Sequence, residues 1–433
     1  MNKKTKSLVV LMCMVLFLAA CGSNGNSNGS GEKDPAKPNK GITLTAITPP
    51  GMEDYYNARS KAFEEKTGVK VNIEVVAWND IITKLTNDAV SGAHTYDIIG
   101  IDDIYLAKFA DAEWIVPVDQ YMTEQLKGDL MDYANRFIQY KGKTYGLPWY
   151  TAWKTFGYNK DLLKKIGVDH PPQTWDEFIQ DSQKLQQEGS VQYASAWSWG
   201  RMEAVICDFV AIMGTMGAEP FENGKPNFNT EKGLEALQLM YDMIYKYKIV
   251  DPASIQFAES EVNSAFAAGQ TAFQFQWGIP LVDLNKPENS QVANMTDLSL
   301  FPSKASSAST IGSFVQAISK GSKNPEAAWD FIQFLNGPEG QKDMILKTGG
   351  TDKFTAWKSV SEDPEIQKNL PGFEIAMKQA DTALARPQLP WYQEWSAMMQ
   401  DRIQMVLLKS KTPKEALQEA DQETQKIIEK YNK

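Results

Sequence analysis

Between residues 42 and 101 the hydrophobic pattern switches repeatedly between the period of a strand and that of a helix, which narrows the fold more than any other feature. Ile42-Thr43-Leu44-Thr45-Ala46-Ile47 reads as a strand that stops at Pro49-Pro50-Gly51. A helix is predicted from about Met52 to Glu65, broken by Gly68, and Lys70 to Val76 reads as the next strand. Trp78 to Ala89 reads as a helix ended by Ser91-Gly92. Tyr96-Asp97-Ile98-Ile99-Gly100-Ile101 is a short apolar run of the buried parallel kind. Such repetition predicts an α/β domain with a mostly parallel sheet. Further on, Thr174 with Glu177 three residues later forms a capping-box signal that starts a helix. Residues 230–247, 323–336 and most of 392–431 carry helical apolar spacing.

The N-terminus predicts export. Lys3, Lys4 and Lys6 precede an apolar run from Leu8 to Leu18, and Ala19-Ala20-Cys21 follows, so residues 1–20 read as a signal peptide. The run is too short to cross roughly 30 Å of hydrocarbon as a helix. Leu18-Ala19-Ala20-Cys21 resembles the bacterial lipobox, in which the Cys is lipidated and becomes the new N-terminus. Two or more acyl chains on Cys21 anchor a protein stably. The rest of 21–40 is Gly/Ser/Asn-rich, then Pro/Lys-rich, and buries too little to fold. Its nineteen residues after Cys21 span roughly 24 Å as a flexible coil. A folded body held just off a membrane surface is the expected arrangement.

Composition removes several function classes. The chain has 433 residues and a net charge of −10, and loss of the signal removes three lysines and no acids. An acidic chain without a basic block is a poor nucleic-acid binder. Two histidines, His94 and His170, and three cysteines supply no multi-His or multi-Cys metal cage. Cys207 would be the only thiol left beside Cys21, in an apolar stretch suited to a buried structural Cys. Gly25-Asn26-Ser27-Asn28-Gly29 matches a nucleophile elbow, but the linker offers neither the strand nor the helix that the elbow needs. Gly142-Lys143-Thr144 lacks the P-loop glycine, since residue 137 is Phe. No catalytic triad, metal site or cofactor site is expected.

Aromatic residues are the informative excess, at 11% of the chain. Several cluster near turns: Trp149-Tyr150 with Trp153, Trp197 with Trp199, Trp277 before Gly278, and Trp391-Tyr392 with Trp395. An indole in a loop offers a rigid apolar face and one donor. A sugar ring carries C–H groups on its faces and hydroxyls on its rim, so stacked aromatics edged by carboxylates, amides or Arg suit a carbohydrate. Trp114, Trp175, Trp329 and Trp357 lie in or beside apolar elements and read as core.

A set of ordered blocks then resembles the family 1 extracellular solute-binding proteins, the maltose-binding-protein-like receptors of bacterial ABC sugar importers. The blocks are Phe63 to Val71, Asp97-Ile98-Ile99 with Asp102-Asp103, Pro117-Val118-Asp119, and Gly142-Lys143-Thr144-Tyr145-Gly146-Leu147-Pro148. Gly157-Tyr158-Asn159-Lys160-Asp161, Pro172 to Phe178, Ala327 to Ile332 and Gly337-Pro338-Glu339-Gly340-Gln341 continue the series. One departure is Ala112-Glu113-Trp114-Ile115, where members usually show Ala-Gly-Leu.

The resemblance covers residues 41–433 and implies a type II periplasmic-binding-protein-like α/β fold, with two discontinuous lobes and a ligand cleft at the hinge. On it, 41–151 plus 300–350 form the N-terminal lobe and 152–299 plus 351–433 the C-terminal lobe. Crossings are expected near 150–156, 300–302 and 349–353. Carried over by position, the expected ligand contacts are Trp78, Asp102, Asp103, Trp153, Trp197, Trp199, Trp277, Arg386, Trp391 and Tyr392. Arg386 reads equally as a structural ion pair.

The implied function is a lipid-anchored receptor on the extracellular face of the cell membrane, of Gram-positive type. It captures a di- or oligosaccharide by hinge closure and passes it to ABC permease subunits; the chain is expected to be monomeric and not an enzyme. Two alternatives stand beside this one: a secreted carbohydrate-active enzyme using an acid pair such as Asp102 with Glu203, and the same fold binding a charged sugar conjugate through Arg201 or Arg386.

Overall fold

The computed structural model of the chain describes residues 39–432, apart from 51 and 349–353. The expected export signal, Cys21, most of the linker and the crossing near 349–353 therefore lie outside the described residues. The first elements follow the order that the hydrophobic pattern predicts: β1 (Thr43–Thr48), α1 (Glu53–Thr67), β2 (Lys70–Val75), α2 (Trp78–Ser91) and β3 (Ile98–Asp102). Gly68 and Gly92 end the two helices in left-handed conformations, at φ 81° and 67°, with their N–H groups turned back to the last carbonyls. β1 pairs in parallel with both neighbours, Thr43 opposite Lys70 and Ala46 opposite Ile98.

The remaining elements that position the site are β4 (Gly146–Asn159), α3 (Trp175–Gln187), α4 (Glu203–Thr215), α5 (Glu231–Tyr245), α6 (Glu259–Ala267), β5 (Phe273–Trp277), β6 (Thr296–Ser299), β7 (Ser309–Ile318), α7 (Pro325–Asn336), β8 (Ala383–Ala385), α8 (Tyr392–Leu407) and α9 (Pro413–Tyr431). Eight strands form one sheet in the order β6-β4-β7-β3-β1-β2, with β8 added on β7 and β5 on β4. β7 runs antiparallel to both β3 and β4, and β5 and β6 run antiparallel to β4. The sheet is thus mixed where a mostly parallel one was expected, because β7 enters against the direction of β3.

Two apolar cores divide the chain. The first draws on residues from Leu44 to Trp153 and from Ile311 to Ala383, with Ile279, Leu281 and Leu298 added. The second draws on Phe156 to Phe275, Phe301, and Trp391 to Ile427. β4 therefore passes from one core to the other between Trp153 and Phe156. The return falls between Phe301 and Ile311. Residues 354–383, expected in the second lobe, pack on the first core instead. Phe354 stacks on Trp153 at 3.8 Å, Trp357 donates its indole N–H to the Asn336 carbonyl, and Gln341 accepts the Ala356 N–H. The chain reaches the second core only between Leu384 and Trp391, so Arg386 sits on that passage.

Local chemistry explains the element ends. Thr174 caps α3 through the Glu177 N–H, but the Glu177 carboxylate takes the Gln173 N–H rather than closing a box on Thr174. Thr412 and Glu415 do close a reciprocal box at the start of α9. Glu113 has φ 54°, the left-handed region that favours glycine. α4 is buried from Ala204 to Thr215, as its apolar circumference requires. The one charge on its buried length, Asp208, meets Lys154 of β4 at 2.5 Å, with neither side chain more than 1% exposed. Of the tryptophans read as core, Trp175, Trp329 and Trp357 are buried and Trp114 packs partly buried on the first core.

Candidate functional site

Where the two cores meet, three carboxylates converge on one guanidinium. β3 ends at Asp102, whose Oδ1 accepts the Ile104 N–H and starts a short turn of helix. Asp103 follows, fully buried, with Oδ1 accepting the Ser313 N–H of β7 at 3.0 Å. α4 begins at Glu203. Arg386 leaves β8 and is held between them. Its Nη2 donates to Asp102 Oδ1 at 2.7 Å and Asp103 Oδ1 at 2.8 Å, and its Nη1 to Glu203 Oε1 at 3.2 Å. The Glu203 carboxylate also accepts the Tyr392 hydroxyl of α8 at Oε1 and the Ser396 hydroxyl at Oε2.

This approach depends on Gly312: a Cβ there would lie 3.0 Å from Arg386 Nη2 and 3.5 Å from Trp277 Cη2. Trp277 closes β5 beside the cluster, partly exposed, and its indole N–H donates to Glu259 Oε1 of α6 at 2.6 Å. The Lys154 ammonium lies 5.7 Å from the Trp277 ring centre.

Burial is uneven, and that sorts the groups by role. Arg386 is 4% exposed and Asp103 not at all, whereas the Asp102 and Glu203 side chains keep about a third of their surface, 31% and 30%. Desolvation lifts the Asp103 carboxyl to about 8 against the pull of Arg386, with Asp102 adding to the rise. Desolvation also raises Glu203, opposed by Arg386 and the two hydroxyls. Tyr105, on the short helix after β3, is pushed up to about 12 by burial and by the charges of Asp102 and Glu203. Two partly exposed carboxylates from opposite cores, beside an indole face of fixed orientation, can accept hydroxyl hydrogen bonds around an apolar ring.

The expected contacts fall into three groups. Asp102, Asp103, Arg386, Trp277 and Tyr392 come together here. Trp153, Trp197 and Trp199 are at most 1% exposed and offer no ring face to solvent. Trp153 stacks on Phe354 with its N–H on the Ala376 carbonyl, and Trp197 stacks on Phe275 at 4.0 Å. Trp391 packs on Phe221 at the edge of the second core. Trp78 opens α2, and its side chain is outside the described part. Arg201 makes its ion pair on the surface with Asp401. Glu259 went unmarked in the sequence, and Glu203 entered only as half of an acid pair. A helix-opening Glu after an aromatic cluster is the one signal that was available for Glu203.

Among the described residues no group of His, Cys, Asp and Glu is placed to hold a metal ion, and no helix is long and apolar enough to cross a membrane. A cavity of about 750 Å³ opens elsewhere, at the far end of α4 among Gly214, Phe221, Asn227 and Thr382. A thirteen-residue helix separates it from Glu203, roughly 20 Å, and its lining carries Glu219, Glu222, Glu231 and Lys232 with one aromatic ring, Phe221.

Comparison with known proteins gives the same picture. The family model for bacterial extracellular solute-binding proteins matches residues 49–342. A probable amino-acid ABC transporter periplasmic-binding protein of Sinorhizobium fredii is 26% identical over 370 residues, 82% of each chain. The diacetylchitobiose binding protein DasA of Streptomyces coelicolor is 23% identical over 442 residues, 99% of each. Maltose-bound MalE3 of T. maritima shares the fold at TM-score 0.81 and 23% identity, covering 89% of this chain and 100% of that one. These proteins are binding proteins rather than enzymes. The chain belongs to the bacterial extracellular solute-binding protein family.

Proposed function

We propose that the chain is the substrate-capturing component of an ABC importer and that its ligand is a neutral di- or oligosaccharide. The observation that carries this reading is the junction of the two cores, where Trp277 lies beside Asp102 and Glu203. Each of those carboxylates belongs to a different core and keeps part of its surface for hydroxyl donors. Contacts that exist on both lobes only when they close make ligand binding and closure one event. DasA and MalE3, whose names carry a chitobiose and a maltose, support the carbohydrate class.

Asp102, Glu203, Glu259 and Trp277 are the proposed contacts, with Arg386 and Tyr392 behind them and Trp78 at the opening of α2. The lobes follow the cores: residues 41–153 with about 311–383, and 156–275 with about 386–433. Arg386 is already committed to three carboxylates and Arg201 to Asp401, so neither is spare for an anionic conjugate. Catalysis by Asp102 and Glu203 is disfavoured, because both carboxylates are already engaged by the Arg386 guanidinium, and Glu203 by two hydroxyls as well. Lipidation at Cys21 would tether a monomer at the outer face of the membrane, where it meets its permease.

Titrating the chain from residue 39 onward with maltose, N,N′-diacetylchitobiose, arabino-oligosaccharides and single amino acids tests this reading. Tryptophan fluorescence and melting temperature should move together for one oligosaccharide class, with the ligand recovered intact. A response to amino acids alone, or shortened sugar in the recovered pool, would overturn it.

A further inference from the structure

Three carboxylates face one guanidinium at the junction, and they are not equivalent. Asp102 and Asp103 both lean on Arg386 Nη2, at 2.7 and 2.8 Å, while Glu203 takes Nη1. Asp103 is the one sealed from water, and its Oδ2 is buried with no hydrogen-bond partner among the described residues. We propose that Asp103 is a positioning residue held as the neutral acid, so that Arg386 is left to Asp102 and Glu203, the two partly exposed carboxylates.

The argument is geometric first. An ionised carboxylate oxygen without a donor, removed from water, is among the costliest arrangements a protein can hold, and a proton removes that charge. The neighbouring Asp102 carboxylate gives the proton an acceptor. The groups around Asp103 agree on the sign. Asp102 at the end of β3 and Glu203 on α4 are acidic, and Arg386 is the only cation in contact among the described residues. Tyr105, Tyr392 and Cys207, packed around the same cluster, are all raised by burial and so stay neutral. Desolvation accordingly carries the Asp103 carboxyl to about 8. With the proton in place, one guanidinium serves two carboxylates rather than three. Without it, a third anion competes for Nη2 and loosens Asp102, the acceptor contributed by the first core. The consequence for ligand affinity rests on the function proposed above; the proton itself does not.

The test is made on the intact chain without any sugar. Aspartate labelled with ¹³C at the side-chain carboxyl is incorporated, and infrared difference spectra are recorded from pH 6 to 9. The wild type should show the carbonyl stretch of an un-ionised aspartic acid at pH 7, halved near pH 8. Asp103→Asn, which keeps an oxygen for the Ser313 N–H, should abolish that band, and Glu203→Gln should retain it. Absence of the band in the wild type at pH 6–7 overturns the proposal. So does its persistence at pH 7 in Asp103→Asn, which would assign it to another aspartate; Asp208, lifted only to about 6, contributes at the acid end of the range alone. Should Asp103→Asn fail to fold, Asp102→Asn decides: it lowers the midpoint of the band if the acid is Asp103, and an unmoved midpoint overturns the assignment. The two readings separate cleanly. Sugar binding without the acid band refutes only this inference, and the band without sugar binding refutes only the proposed function.

Discussion

Breaking the Lys154–Asp208 pair isolates what a buried charge costs this protein. Lys154 Nζ and Asp208 Oδ1 lie 2.5 Å apart, and Ser198 stands 3.4 Å from each partner. At an effective dielectric of about 20 the attraction is of order 7 kcal/mol. Removing both ions from water costs several kcal/mol each, so the intact pair contributes little net stability. Losing one partner is different, because the other charge then stays buried without compensation. Lys154→Met is therefore expected to destabilise by about 3–5 kcal/mol. Spread over a lobe of some 200 residues, that is a fall of roughly 6–20 °C in melting temperature. Asp208, already lifted to about 6 by burial, should rise further and take up a proton, which limits the loss below neutral pH. The double variant Lys154→Met/Asp208→Leu should recover most of the stability, since an apolar pair of similar volume is often neutral or better. Urea unfolding of the two singles and the double, followed by tryptophan fluorescence and far-UV circular dichroism, supplies the cycle. The reasoning fails if each single variant costs under about 1 kcal/mol, or if the double loses as much as the two singles added together.

Four further outcomes are expected. Trp277→Ala should weaken sugar binding roughly thirtyfold, about 2 kcal/mol, with little change in melting temperature, because its ring is partly exposed. Trp197→Ala should instead cost about 3–5 kcal/mol of stability, since its ring is 1% exposed and stacked on Phe275; calorimetric melts and binding titrations of the two variants check the split. Arg386→Met should lower both affinity and stability, with Arg386→Lys restoring only part, because one ammonium cannot reproduce a fork shared by three carboxylates. The pH dependence follows from Asp103: its native carboxyl near 8 lies above the ordinary value of 3.8, so the folded state holds more protons in that window. Stability should therefore fall as pH rises from about 5 to 8, and Asp103→Asn should flatten the slope of melting temperature over that range.

The legibility of the fold tracks how local its causes are. Strands and helices of the first 60 folded residues were readable because Pro49, Gly68 and Gly92 punctuate apolar runs of clear period. The direction of β7 was not, since only its pairing with β3 and β4, across more than a hundred residues, decides it. The packing of residues 354–383 on the first core was not legible either, for the same reason. What keeps 354–383 on the first core is Phe354 against Trp153 and the Gln341 amide on Ala356, contacts with no local signature.

The site divides along a similar line. Asp102 and Trp277, which meet at the junction of the cores, each carry a local mark in the sequence: a strand end for the first and a following turn for the second. Loop aromatics alone did not separate Trp277 from Trp197 and Trp199, since burial is set by α4 and β5 packing over them. The charge partners of Arg386 come from residues 102, 103 and 203, and no spacing rule joins them. Glu113 is a small case in reverse: the resemblance implies a Gly near this position, and the chain takes the left-handed turn there without glycine.

Native mass spectrometry of the chain after exposure to a mixture of neutral oligosaccharides and amino acids tests carbohydrate capture most directly. One oligosaccharide should stay bound at unit stoichiometry with its mass unchanged, and at a hundred times its dissociation constant it should add about 2.7 kcal/mol of stability. The Trp277→Ala protein should retain less of it. Retention of an amino acid with no oligosaccharide, or the appearance of shortened sugar, would contradict the proposed capture.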